Sequence, residues 1–255
     1  MTGGAVPGTD GVQRFARFAF PPNQLGYCGP DDARAVLEYT AAGVTDPGLV
    51  EIAQAFEGAW PYLELIAHSN GIPDPLDDRV VSAYWLGNDL LAAVPAPVLA
   101  RHIADRFGER TTLDGREAFD AAVATLPAPH HNFHVLSVYP WVGLLRSGMP
   151  EEPLRILDQC RIRWGTVMAV DGATVVVETP RLVWDGNRLD LGPALPEVAR
   201  VAEDGYRLAP TLGSGDIVAL HWDWVCDVID GTVARQLQRL TAAQLDATNR
   251  SLLAA

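Results

Sequence analysis

Apolar residues recur at a helical spacing through the first part of the chain. Pro30-Asp-Asp-Ala-Arg-Ala-Val-Leu-Glu-Tyr39 opens with proline at a first helical position and acids in the first turn, and Gly43 follows as a stop. A second helix opens at Pro47, with Val50, Ala53, Phe56, Trp60 and Leu63 on its apolar face. Pro61 falls inside this pattern and predicts a kink, and Asn70-Gly71 with Pro73 ends it. Further helices are expected around 77–94, 96–107 and 114–126. The segment 129–146 reads two ways, as a helix or, at His134–Tyr139, as a buried strand broken by Pro140.

From Cys160 the pattern changes to that of strands. Thr174-Val-Val-Val-Glu-Thr179 is β-branched and lies between Asp171-Gly172 and Pro180. Leu182-Val-Trp184 and Leu189-Asp-Leu191 flank Asp185-Gly-Asn187, a hairpin signal. Another strand follows Gly215-Asp216, where Trp222 and Trp224 alternate with Asp223 as packed strand residues would. Val233–Leu253 reads as an amphipathic helix whose better face carries Leu237, Leu240, Gln244, Leu245 and Leu252. The expected fold class is α+β. It comprises a disordered arm over 1–20, a mainly helical domain over 21–158, a small OB-like β-barrel over 159–231 and a C-terminal helix over 232–255.

With 255 residues, 48% of them hydrophobic, the chain can bury a substantial core. All 19 basic residues are arginine, which excludes lysine Schiff-base chemistry and a phosphate-binding-loop lysine. A formal net charge of -13 argues against nucleic-acid binding, because phosphate contacts need a basic surface. No apolar run is long enough to span a bilayer, and the first ten residues lack the pattern of a signal peptide. The expected location is therefore the cytoplasm, where the 3 cysteines read as thiols, ligands or nucleophiles rather than disulfides.

Two segments near the C-terminus carry a first chemistry. Cys160-x-Ile-x-x-Gly-x-Val with Asp171-Gly172, and Gly215-Asp-x-Val-x-x-His221, together resemble hydrogenase maturation chaperones of the HypC/HupF type. The resemblance covers roughly residues 160–230. It implies a small barrel, with Cys160 as the functional thiol and His221 as the family histidine. It also implies an iron centre handled for a [NiFe] hydrogenase large subunit, with other maturation factors as partners. Thiolate and imidazole suit iron or zinc on chemical grounds. Each residue also has a plain structural reading, Cys160 as core packing and His221 as a hydrogen-bonded strand-end histidine. Cys226, beside Trp224, reads as core.

A second chemistry lies near the N-terminus. Gln24-Leu-Gly-Tyr-Cys28-Gly-Pro30 leads into a helix, whose dipole favours a thiolate. This stretch resembles the start of papain-like cysteine enzymes, notably bacteriocin-leader peptidases and phytochelatin synthases. That resemblance implies a cysteine-dependent hydrolase or transferase with Cys28 as nucleophile, Gln24 supporting the oxyanion, His134 as base and Asp158 orienting it. Asp31 and Asp32 oppose thiolate formation, and a helix-start turn is the structural alternative.

A third chemistry is a metal site at His130, His131 and His134, where His130 and His134 share one helical face at i, i+4. It would make a non-haem metal enzyme; its alternative is a solvated or hydrogen-bonded cluster. The whole chain also resembles an uncharacterised bacterial family in which Leu-Gly-Tyr-Cys-Gly-Pro, His-His-x-Phe-His-Val and His-Trp-Asp-Trp-Val-Cys occur together. The leading expectation is a metal-handling accessory protein presenting Cys160 and His221 to a metal or partner. A structural or interaction module with all cysteines in cores is the remaining alternative.

Overall fold

A computed structural model describes residues 10–107, 128–139, 141–146 and 148–254. The expected helix at 114–126 lies outside the described residues. The first element, α1 (Gly11–Gln24), is capped by the Asp10 carboxylate on the Val12 N–H at 3.2 Å. Residues 11–20, expected in a disordered arm, instead form most of this helix. Its Phe15, Phe18 and Phe20 are almost completely buried, and apolar burial on several sides outweighs its poor helix formers.

Next come α2 (Ala33–Ala42), α3 (Pro47–Gln54), α4 (Trp60–Ser69), α5 (Asp78–Trp85) and α6 (Ala96–Phe107). Asp32, not Pro30, caps the start of α2, and Gly43 ends it at φ 62°. Pro61 sits in the first turn of α4, so it opens a new helix rather than kinking a long one. The expected helix 77–94 divides into α5 and a 3₁₀ segment, Asp89–Ala93. The ambiguous segment is helical: α7 (His131–Phe133) widens into a π turn at His134–Val138, closed by Tyr139 N–H to the His134 carbonyl at 3.2 Å. Two short helices follow, α8 (Trp141–Leu144) and α9 (Glu151–Cys160).

Then come β1 (Arg163–Asp171), β2 (Thr174–Trp184), β3 (Leu189–Arg200), β4 (Ala202–Glu203), β5 (Tyr206–Arg207), β6 (Ile217–His221) and β7 (Trp224–Ile229). β1, β2 and β3 form an antiparallel meander, and β6 pairs with both β7 and β1. One parallel contact, Arg200 with Trp224, joins β3 to β7, so the pairings of the five-stranded sheet run in a closed circuit. β2 continues through Pro180 with a register shift between Pro180 and Leu182, where strand residues ending at Thr179 were expected. Val167, Val177, Val218, Leu220 and Val225 fill the interior of the sheet. Gly165 lies so close to Val177 and Glu178 that a Cβ there would collide with them.

The helical part and the sheet share the largest apolar core, which includes Phe20, Trp85, Ile162, Trp224 and Leu237. Phe18 stacks on Trp85 at 5.4 Å, and Phe20 meets Trp224 edge-on at 5.1 Å. Arg14 and Arg17 of α1 both pair with Asp227 of β7, at 3.0 and 3.4 Å, and Arg17 also donates to the Cys226 carbonyl at 2.9 Å. The last helix, α10 (Gly231–Ala254), buries Leu237, Gln244, Leu245 and Leu252 as expected. Its Asn249 side chain both accepts from and donates to the main chain of Leu189, each at 2.9 Å.

A buried ionic cluster joins α9 to the sheet. Asp158 accepts from Arg161 at 2.8 Å and from the Leu182 N–H at 2.8 Å, and Arg161 also donates to the Pro180 carbonyl at 2.6 Å. Arg163 donates to Glu197 at 2.6 Å. Removing one partner strands a buried charge. Asp158→Ala is expected to lower unfolding free energy by roughly 3–5 kcal/mol, whereas Asp190→Ala, which breaks an exposed pair with Arg188, should cost under about 1 kcal/mol. Urea denaturation of both variants measures the difference.

Candidate functional site: a buried histidine–cysteine cluster on an aromatic-walled cavity

Asn132 begins the assembly of the site. It is buried, accepts from the Ile162 N–H at 2.7 Å, and donates to the Ile162 carbonyl at 3.3 Å and to Thr241 at 3.1 Å. One amide therefore fixes the short helix α7 against the start of β1. Its neighbour His131 is thereby brought beside Cys160, the last residue of α9. His131 Nε2 lies 2.9 Å from the Cys160 carbonyl and 3.9 Å from its Sγ.

His221, at the end of β6, completes the group. One donor atom from each of His131, Cys160 and His221 lies within 4.8 Å of the others. The two imidazole centroids are 4.9 Å apart, and Trp85 packs on both rings. The exposures are 7%, 6% and 0% for His131, Cys160 and His221, so none of the three presents itself at the surface.

The orientation of His221 follows from a proline in α1. In a regular helix the N–H of residue 22 would bond the carbonyl of Phe18. Pro22 has no N–H, which leaves that carbonyl available. His221 Nδ1 lies 2.6 Å from it. A carbonyl only accepts, so Nδ1 carries the proton and Nε2 holds a lone pair. That Nε2 is buried and has no hydrogen-bond partner. A buried acceptor without a partner is costly, and this one lies beside a thiol and a second imidazole. His131 is held differently: its Nε2 faces the Cys160 carbonyl at 2.9 Å and so carries the proton, while Nδ1 accepts from the Tyr84 hydroxyl at 3.1 Å.

Burial keeps these groups neutral. It pushes the His131 imidazole down to about 4, helped only slightly against this by the Cys160 carbonyl. Burial, with His131 as neighbour, holds His221 well below the usual histidine range. The Cys160 thiol is raised, first by burial and then by the nearby Cys28. Neutral imidazoles are the form that binds metals, and the thiol must lose a proton to do so.

The cluster forms part of the wall of a cavity of about 610 Å³. Tyr27, Phe56, Trp85, Trp141 and Trp222 supply much of the rest. Trp222 is not a packed strand residue. It occupies the two-residue turn between β6 and β7, at φ 54°, a position at which glycine is usual. Its N–H donates to the Gln159 carbonyl at 2.7 Å, its carbonyl accepts from Arg163, and its ring stacks on Tyr27 at 4.6 Å. These ties hold a strained residue in place.

The other expected site residues divide. Cys28 and His134 line the same cavity, so Cys28 and Cys160 converge on one chamber. Asn23 fixes the Cys28 loop by donating to the carbonyls of Cys28 and Pro30 at 2.9 and 2.6 Å. Cys28 precedes the Asp32 cap by four positions (32 minus 28), outside the reach of the α2 terminus, and burial raises its thiol to about 12. Gln24 instead contacts Glu203, and Asp158 belongs to the arginine cluster, so neither takes its expected place beside Cys28 and His134. His134 has Tyr62 at 3.0 Å from Nδ1. His130 does not pair with His134 on a metal: its Nδ1 caps the short helix by accepting from Asn132 N–H at 3.1 Å, and burial lowers it to about 3. Cys226 is core, as expected.

A family model described as a family of unknown function, DUF6390, matches residues 7–255. The chain belongs to that family. The whole-chain resemblance is thus to this family, and the match does not extend to hydrogenase maturation chaperones. No curated protein and no solved structure matches this DUF6390 chain. None of its described helices is long and apolar enough to cross a membrane.

Two measurements probe this geometry. Each buried histidine is harder to protonate folded than unfolded, so its stabilising contribution is complete above the ordinary histidine range. It is lost as pH falls through that range toward the lowered values of about 4 for His131 and about 3 for His130. Metal-free protein is expected to lose roughly 4 kcal/mol or more between about pH 7.5 and 4.5, with proton uptake on unfolding measured from urea titrations across that range. Pro22→Ala restores an N–H that competes for the Phe18 carbonyl. It should lower affinity for added zinc by roughly 10- to 100-fold without unfolding the protein, as read by chelator competition and circular dichroism.

Proposed function

We propose that this protein is a non-haem metal enzyme that holds one zinc- or iron-class divalent ion between His131, Cys160 and His221 and works on a small molecule in the adjoining cavity. The observation that carries the reading is that one donor atom from each of the buried residues His131, Cys160 and His221 lies within 4.8 Å of the others. Two imidazoles and a thiolate suit these ions. Three protein ligands leave a fourth position for water or substrate, which is the arrangement of catalytic rather than structural zinc sites. Ligand bonds of roughly 2.0–2.3 Å require donors now within 4.8 Å to draw together by up to about 1.5 Å, and His131 Nε2 to release its bond to the Cys160 carbonyl.

Metal handling for a [NiFe] hydrogenase partner is the second reading. It is favoured by the meeting of Cys160 with His221 and by a closed sheet that we read as a small OB-like barrel. Full burial of the donors favours the enzyme, because a carrier must release its ion to a partner.

Elemental analysis of anaerobically purified protein tests both. We expect close to one equivalent of metal, lost in His131→Ala, Cys160→Ala and His221→Ala and retained in His134→Ala and His68→Ala. Binding should release about one proton per ion, from the Cys160 thiol, measured by calorimetry in two buffers. Protein that takes up no metal after reconstitution sinks the proposal. Rapid metal transfer to hydrogenase maturation factors, in place of retention against a chelator, would favour the carrier.

A further inference from the structure

The walls of the cavity define what it can hold. Its volume of about 610 Å³ falls in the range of roughly 300–1,000 Å³ that accommodates drug-sized ligands. No Asp, Glu or Arg side chain is among its described lining residues. The flat faces of Trp85, Trp141, Phe56 and the stacked pair Tyr27 and Trp222 dominate instead. A carboxylate or phosphate placed against the aromatic walls, away from the His131, Cys160 and His221 group, would lose its hydration with no counter-charge among the described lining residues, and such burial is costly. The formal net charge of -13 adds long-range repulsion of anions. Polar side chains gather at the His131, Cys160 and His221 cluster and at Cys28 and His134.

We infer that the cavity takes an uncharged, largely aromatic small molecule that presents one donor atom, a hydroxyl, thiol or azole nitrogen, to the His131, Cys160 and His221 group. The aromatic body of the ligand is argued from the walls alone. Only the destination of its donor atom rests on the metal reading above.

The test uses the full chain in two forms. Metal-free protein is titrated with 2-naphthol, 2-naphthoate and (2-naphthylmethyl)trimethylammonium, followed by calorimetry and tryptophan fluorescence. We expect 2-naphthol to bind at least about tenfold more tightly than either ion. Gly58→Leu should weaken it by a similar factor. An added Cβ at Gly58 meets His134 and Tyr139 only at 3.5 and 3.7 Å, so the larger side chain extends into the chamber without breaking the backbone. In cobalt-loaded protein, 2-naphthol should shift the thiolate-to-cobalt charge-transfer band. Absent naphthol binding, or equal or tighter binding of either ion, overturns the inference even if metal is present. Naphthol binding to a protein that takes up no metal overturns the metal reading while leaving the ligand class standing. Naphthol binding to the cobalt protein with an unchanged spectrum overturns the donor contact.

Discussion

The bond between His221 Nδ1 and the Phe18 carbonyl is the interaction on which the candidate site depends. A proline in the last turn of α1 leaves a carbonyl unused, and a histidine on a strand far along the chain uses it. The bond selects one imidazole tautomer and points the other nitrogen at a thiol and a second histidine. It also sets the position of α1 against the sheet, alongside the Arg14 and Arg17 contacts with Asp227. Helix and strand are thus docked in part by the same contact that orients the His221 imidazole.

The rest of the site is held in the same manner, by side chains that complete main-chain hydrogen bonding between elements. Asn132 stands in for a strand partner to Ile162, and Arg163 and Gln159 secure the turn at Trp222. These bonds lie inside apolar packing, where the low dielectric strengthens them and makes each expensive to lose. Because they converge from α1, α7, α9 and β6, no single element forms the cluster. A local sequence motif would not reproduce it.

This explains what could be read in advance. The strands and the C-terminal helix were legible because alternation, Gly172 and the Asp185–Asn187 turn act locally. Pro47 and Gly43 marked helix ends for the same reason. The helix over residues 11–20 was missed because Pro21 and Pro22 obscure the periodicity of α1, whose stability comes from burial by distant partners. Cys160, His221 and His131 could each be nominated from residue chemistry, but their meeting depends on Asn132, which carried no signal of its own. The i, i+4 spacing of His130 and His134 does not bring the two rings together as a regular helix would, since a cap and a π turn replace that helix there. Trp222 looked like a strand residue because a two-residue turn occupied by tryptophan departs from ordinary turn chemistry. Tyr84, which positions His131, had no feature to single it out.

The stacked Tyr27 and Trp222 differ in how they are anchored. Tyr27 is 41% exposed and can swing about its own side-chain bonds without disturbing a main-chain hydrogen bond. Trp222 is 2% exposed and held through both its N–H and its carbonyl. Exposed side chains turn over in picoseconds to nanoseconds, whereas freeing a buried strand turn requires partial unfolding, which is slower by many orders of magnitude. The two halves of one wall therefore keep different clocks. The Tyr27 ring moves on the fast one, and the backbone turn that carries Trp222 moves on the slow one.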